Sequence, residues 1–328
     1  DIPPSSGFTR ILVNKGSITN NGVELALNFN PISSEDIELS FGGNISFNKT
    51  KIVNLDSQPL QGFYENGVLT DRRFYYGNTI SRGAIFRYPA NVFVEGEESS
   101  LFYGFKTDGI YQTNDTDIID GAVPGDVRIV DQLTEDTNGD GILDSGDGLI
   151  DEKDRTFLGN PNPDFVYGFN FDLKYKRWNL SALFNGVYGN DIANGMLLQL
   201  DNAEGRPNAN ILTGAYNNAW RIDTPSNTHP RIGYTTRGQI AITDRIIEDG
   251  SYLRLNNLTI GYDIPVGEKN FIDNLNVYIA GQNLFTWTSY SGYDPEVSTF
   301  LYTGLITGVD WNGGVNARNI LLGVNFKF

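Results

Sequence analysis

The sequence predicts an all-β fold: the C-terminal portion of a large antiparallel transmembrane β-barrel with long external loops. Three observations predict it. Seven segments alternate apolar with small or polar residues at period two. The connections between those segments are by turns short and long. The closing stretch, Ile320 to Phe328, sets Ile320, Leu322, Val324, Phe326 and Phe328 on one face and ends on an aromatic. A soluble sheet rarely finishes on its most apolar residues, because ends fray and meet water. A barrel strand keeps lipid on one side, and aromatics mark the interface. The alternative for this segment is an ordinary last strand of a β-sandwich.

The segments follow in order. Val23, Leu25, Leu27 and Phe29 alternate with Glu24, Ala26, Asn28 and Asn30. Ile37, Leu39, Phe41, Ile45 and Phe47 alternate with Glu38, Ser40, Gly42, Asn44, Ser46 and Asn48. Phe165, Tyr167, Phe169, Phe171, Leu173 and Tyr175 form the apolar face of the third segment, and Trp178, Leu180, Ala182, Phe184 and Tyr188 that of the fourth. In the fifth, Leu253 and Leu255 are followed by Leu258, Ile260 and Tyr262, a one-residue phase slip at Asn256-Asn257 that predicts a β-bulge. Leu275, Val277 and Ile279 mark the sixth; the terminal strand is the seventh. The opposite faces are rich in Asn, Ser, Gly and Gln, which suits a water-filled or plugged lumen.

Composition narrows the chemistry. The chain has 328 residues, 39% of them hydrophobic, with 17 Tyr, 20 Phe and 37 Gly. No apolar run is long enough for a transmembrane helix, and barrel strands escape such a test because their polar half hides the apolar half. Zero cysteines exclude disulfides, thiolate metal sites and a Cys nucleophile. His229 is the single histidine and is expected in a loop, with no nucleophile elbow near it. No catalytic residue is expected. A net charge of -16 argues against nucleic acid as partner. No signal peptide is recognised, and Asp1 to Gly7 reads as a loop.

The spacing of connections predicts orientation. Residues 32–36, 176–177 and 263–274 are short; 48–164, 189–251 and 286–319 are long. Outer-membrane barrels have short periplasmic turns and long extracellular loops. That rule sends 275–285 outward, brings the terminal strand back and places Phe328 in the periplasm. It holds if each long gap conceals an even number of barrel strands; Leu101 to Gln112 is one expected concealed strand.

Within the first long gap, residues 131–155 form a calcium-like loop. Asp136-Thr137-Asn138-Gly139-Asp140-Gly141-Ile142-Leu143-Asp144 matches the start of an EF-hand-type loop. Oxygens from Asp136, Asn138, Asp140 and the Ile142 carbonyl converge there if glycine permits the sharp turn. Asp147 falls at the twelfth position, and the unit Gly-Asp-Gly-(Ile/Leu)-(Leu/Ile)-Asp recurs at 139–144 and 146–151, adding Asp144 and Asp151 as candidate ligands. The expectation is a structural Ca²⁺ clip; the alternative is a solvated acidic loop whose turns use Asn, Asp and Gly.

Six ordered stretches then carry a resemblance. They are Asn14 to Leu25; Gly121 to Asp131 with Pro124-Gly125-Asp126-Val127; the Asn138-Gly139-Asp140-Gly141 loop; Asp154-Arg155 through Gly159-Asn160-Pro161 to Tyr167-Gly168-Phe169; Ser251-Tyr252-Leu253-Arg254-Leu255 to Tyr262; and Asn283-Leu284-Phe285 to Tyr293-Asp294-Pro295-Glu296-Val297. Together they resemble the C-terminal part of SusC-like (RagA-like) TonB-dependent outer-membrane transporters of Bacteroidetes. The resemblance implies a 22-stranded family barrel of which residues 1–328 hold the C-terminal half. It implies a SusD-like surface lipoprotein as partner, TonB acting through upstream parts absent here, and uptake of oligosaccharide or peptide across outer-membrane lipid. It makes Leu322, Val324, Phe326 and Phe328 an assembly signal. The insert Ser145 to Ile150 departs from the family loop. Tyr75, Tyr76, Tyr216, Trp220, Tyr290, Tyr293 and Trp311, in the long loops, are candidates to stack on substrate, against packing and headgroup contact as the alternative. Two other functions remain open: a passive or adhesive outer-membrane barrel, and a secreted calcium-stabilised β-sandwich that binds glycans.

Overall fold

The computed structural model describes residues 16–55, 63–79, 89–200, 210–232, 241–266, 273–296, 298–299, 304–311 and 313–328. The loop expected at Asp1–Gly7, and Asn14, Lys15 and Val297 of the motifs, lie outside the described residues.

All seven alternating segments are strands of one antiparallel sheet, and their order in the sheet is their order in sequence. We label them β1 (Ser17–Ser33), β2 (Ile37–Asn54), β3 (Phe165–Tyr175), β4 (Trp178–Tyr188), β5 (Tyr252–Ile264), β6 (Asn274–Thr288) and β7 (Asn319–Lys327). β1 and β7 are its edges. The first two run further than their hydrophobic alternation: β2 continues through Lys49, Lys51 and Val53, because β1 stays paired with it from Ser33↔Glu38 to Ser17↔Asn54. The phase slip is a bulge. Leu255 pairs with Phe184 and Asn257 with Leu183, leaving Asn256 over; Asn283, at φ 52° on β6, takes up the irregularity on the other side.

Register turns the alternation into two surfaces. One row runs Ile32–Leu39–Leu173–Leu180–Ile260–Ile279–Leu322 across all seven strands. A parallel row on the other face runs Asn28–Gly42–Asn170–Leu183–Asn257–Gln282–Asn319. Among the described residues no second sheet covers the apolar face: Leu27, Phe29, Leu322 and Phe326 remain exposed. A soluble β-sandwich would bury that face, so the structure favours the expected barrel over the sandwich alternative.

Aromatics bracket the apolar surface. At the short-turn end Trp178 packs against Tyr262 at 4.9 Å. At the other end Phe165 stacks on Tyr188 at 5.0 Å and Phe285 on Trp287 at 6.0 Å. Trp178 and Tyr188 close the two ends of the 11-residue β4. That is about 33 Å along a strand, or about 25 Å of height at the usual barrel tilt, the thickness of an outer-membrane apolar band.

The long gaps conceal no further strand of this sheet among the described residues. Leu101 to Gln112, expected as one concealed barrel strand, is two short ones: Leu101–Phe105 pairs with Asn91–Val94 and Arg155–Gly159, and Thr107–Ile110 with Val127–Ile129. Every residue of Leu101–Phe105 is buried, so it lacks the lipid-facing half that a barrel strand needs. No described helix is long and apolar enough to cross a membrane.

Candidate functional site

Antiparallel order puts the three long connections at one end of the sheet, where they build a common body. Its main core joins Ala90 and Phe102 of the first connection, Ala193, Leu198, Ile242 and Ile246 of the second, and Ile306, Val309 and Trp311 of the third. The second and third are also stitched by a parallel pairing, Ala193↔Val309 and Asn194↔Asp310. A separate aromatic cluster holds Phe63, Phe74, Tyr103 and Phe157 together.

This body sorts the candidate aromatics. Trp220, Tyr290 and Trp311 are not presented to a ligand: all three are buried. Trp220 packs on Ile110 and Val127 and donates its indole N–H to Gln112 Oε1 at 3.0 Å. The Tyr290 hydroxyl donates to Asp310 Oδ2 at 2.8 Å, and burial with that carboxylate drives its pKa up. Trp311 sits in the main core. Loops this large need cores, and large aromatics supply them. Tyr76, Tyr216 and Tyr293 are exposed and Tyr75 is half-buried, so these four keep access to a ligand.

The acidic loop is a series of tight turns closed by its own side chains. Asp136 accepts from the Gly139 and Gly141 amides at 2.6 and 2.8 Å, Asn138 from the Asp140 amide at 2.9 Å, and Asp140 from the Ile142 amide at 2.8 Å. Gly139 and Gly141 take φ of 79° and 83°, the left-handed region such turns require. Asp144 accepts from the Thr137 amide and hydroxyl at 3.0 and 2.7 Å. Asp147 accepts from Lys153 Nζ at 2.6 Å, and Asp151 caps a short 3₁₀ turn by accepting from the Lys153 amide at 2.8 Å. The Gly141 and Gly139 amides hold the Asp136 carboxyl below the usual range; Thr137 does so for Asp144, and Lys153 for Asp147. Burial pushes Asp154 up to about 6. Among the described residues no three acidic or imidazole groups converge closely enough to hold a metal as they stand.

Ion pairs that periodicity could not reveal join the recognised stretches. Arg254 of the Ser251–Tyr262 stretch meets Asp294 and Glu296 of the last stretch, each at 2.5 Å. Asp126 accepts from Arg231 Nε at 2.6 Å. Arg155 is buried with its guanidinium over Tyr103 at 4.6 Å and Tyr76 at 4.9 Å. The signal for the first pair was in the sequence, since both partners fall in motifs, but nothing in the spacing said that they meet. On the lumen side of the sheet an open groove of about 520 Å³ is lined by Asn28, Asn44, Asn170, Asn185, Tyr252 and Glu296, among others. No nucleophile–base arrangement is evident there; the groove offers hydrogen bonds and one carboxylate.

No protein-family model matches the chain. It is 31% identical over 334 residues to TonB-dependent receptor P3 of Formosa agariphila, covering 100% of the chain and 30% of that relative. It is 27% identical over 348 residues to TonB-dependent receptor SusC of Bacteroides thetaiotaomicron, covering 100% of the chain and 28% of that relative. Among solved structures, the RagAB peptide transporter superposes with a TM-score of 0.69 at 21% identity, over 100% of the chain and 31% of that chain. The RagAB peptide importer in its open-open state gives 0.70 at 22% identity, over 100% and 30%. The chain thus spans just under a third of the length of the curated relatives it matches. With its ordered motifs, its sheet bare on one apolar face and these matches over the whole of its own length, the chain is similar throughout to part of the SusC- and RagA-like TonB-dependent receptors.

Proposed function

We propose that this chain forms part of the wall and mouth of an outer-membrane nutrient importer. The importer would take up oligosaccharides or peptides with a SusD-like surface lipoprotein and draw energy from TonB. One observation carries the reading: a single sheet presents an apolar face about one outer-membrane thickness tall, an amide-lined opposite face, and all its long connections as one body at one end. A wall of that kind separates lipid from a polar passage. The kinship to TonB-dependent receptors, SusC among them, supports the energy source. The test is uptake of labelled oligosaccharides and peptides by cells with and without the protein, in the presence and absence of TonB. Loss of uptake in both deficient strains is expected. Uptake that ignores TonB would favour the passive-barrel reading instead.

We also infer that residues 131–155 take up Ca²⁺ as a structural clip, held by Asp136, Asn138, Asp140, the Ile142 carbonyl, Asp144, Asp147 and Asp151. The spacing of the oxygens and the glycine turns between them support this. The fit is not ready-made: Asp136, Asn138 and Asp140 each spend oxygens on backbone amides, so an ion would have to draw side chains inward. In about 1 mM calcium, a site with Kd about 10⁻⁴ M would stabilise the folded loop by about 1.4 kcal/mol. Chelation should therefore raise proteolysis within 131–155 and leave the barrel intact. Asp136→Ala with Asp140→Ala should make added calcium irrelevant; a loop equally resistant with and without calcium counts against the clip.

A further inference from the structure

The last long connection does not simply arch away from the barrel; parts of it fold back onto the lumen side. Arg254 stands on the lumen face of β5, paired with Asn185 of β4 and Thr286 of β6. Its guanidinium is buried and donates to Asp294 and Glu296, each at 2.5 Å, and to Thr286 Oγ1 at 3.0 Å. Asp294 offers its second oxygen to Asn316 Nδ2 at 2.6 Å. Asp294 and Glu296 follow soon after β6 ends at Thr288, and Asn316 precedes the start of β7 at Asn319. One cation therefore gathers the outgoing and the returning stems of a single connection. Glu296 lines the same groove as Asn28, Asn44, Asn170 and Asn185, so the gathered stems sit over the lumen wall.

We propose that Arg254, Asp294, Glu296 and Asn316 form a latch that keeps both stems folded over the lumen wall, so that losing the one cation releases both together. Charge makes it a latch rather than a strut. Asp294 is buried while Glu296 is half exposed; without the guanidinium, Asp294 is left as a buried carboxylate beside a second negative charge. A buried charge stripped of its partner is strongly unfavourable and is relieved by moving toward water. Asn316 does not touch Arg254 in this network; it is held through Asp294, so its release follows from the loss of Asp294's position. The middle of the connection has its own anchors, Val309 paired with Ala193 and Ile306 and Trp311 in the core; the base of the outgoing stem is held separately, Tyr290 donating to Asp310 and the Ser291 amide and hydroxyl to Glu248. The swing is confined to the outgoing stem beyond Ser291 and to the returning stem around Asn316, which changes the width of the mouth without dismantling the body. The inference rests on the barrel reading for which side is lumen; it does not depend on import or on TonB.

The experiment uses spin labels on the folded protein in its extracted, membrane-competent form. The chain has no cysteine, so each introduced thiol is unique within it. One label replaces Tyr293 or Val315, both exposed on the stems, or Leu305, exposed on the body; a reference label replaces Glu35 in a short turn. In Arg254→Ala the distance distributions from Tyr293 and from Val315 should each broaden at least twofold, while that from Leu305 stays as it was. Arg254→Lys should broaden them less, and the exchange Arg254→Asp with Asp294→Arg should narrow both again. Broadening at Tyr293 alone, or at neither stem in a folded variant, overturns the shared latch; so does broadening at all three sites. If Arg254→Ala does not assemble, Asp294→Asn carries the same comparison: Val315 should still loosen, and an unchanged Val315 distribution overturns the proposal.

Discussion

Phe184 and Asn185 are neighbours on β4 with different surroundings. Phe184 stacks on Phe169 at 4.6 Å on the apolar face, near the middle of the strand, while Asn185 is on the opposite face, paired with Arg254 of β5. A charge at Phe184 would face hydrocarbon. Phe184→Arg should cost roughly 2–4 kcal/mol, and Tyr188→Arg, in the aromatic band, no more than about 1. Unfolding titrations in lipid check this; equal costs would deny the apolar band. Glycine positions give a second residue-level test. A Cβ at Gly186 would lie 2.4 Å from the Tyr167 ring and 2.5 Å from the Tyr252 carbonyl oxygen, whereas at Gly168 its nearest neighbour, Asn44 Oδ1, is 3.3 Å away. Gly186→Ala should therefore destabilise by about 1–3 kcal/mol and Gly168→Ala by clearly less, read in the same titrations. Residue roles were the least legible part of the sequence. Trp220, Tyr290 and Trp311 share residue type and loop context with Tyr216 and Tyr293; only burial within a body built from three distant connections separates them.

The elements divide by length. Strands of nine residues or more, such as β7 with 9 and β2 with 18, repeat their alternation often enough to be read directly. The body's strands run to 3 residues at Phe63–Glu65 and Val127–Ile129 and 5 at Leu101–Phe105, too short for a period to declare itself. Leu101–Phe105 is moreover buried on both faces, so no alternation existed to find. β7 pairs with β6 from Asn274↔Lys327 to Gln282↔Asn319. Deleting Asn325–Phe328 removes the start of that ladder and the exposed Phe326 and Phe328, and should abolish assembly. Heat-modifiable barrel recovered from the membrane after the deletion would contradict it. The acidic loop should respond to pH with a defined sign. Asp136 and Asp144 have carboxyls held below the usual range by loop amides and Thr137. Their contribution is complete above the unfolded carboxylate pKa of about 3.9 and is lost as pH falls through the lowered folded value. Protease nicking within 136–144 should rise as pH drops below about 4, with the barrel strands still protected.

At the scale of the molecule, the arrangement of turns and body predicts an orientation. The short turn at Ser34–Asp36 lies at one end of the sheet and the body at the other. If the short turns are periplasmic, Ser34→Cys should escape an impermeant thiol reagent in intact cells, and the exposed Ile222→Cys should react. Labelling of Ser34→Cys from outside would invert the assignment.

The stitching of the connections by Ala193↔Val309 reaches beyond stability into how such receptors can diversify. Connections that end in separate loops can be exchanged one at a time, like cassettes. Here a donor loop replacing 289–318 would arrive with half a strand pair and a third of a core, and would leave Ala193, Phe102 and Ile242 facing a gap. Single-loop chimeras between two receptors should therefore fail to present a folded mouth where triple-loop chimeras succeed. Changes at the mouth would be inherited as linked sets of loops.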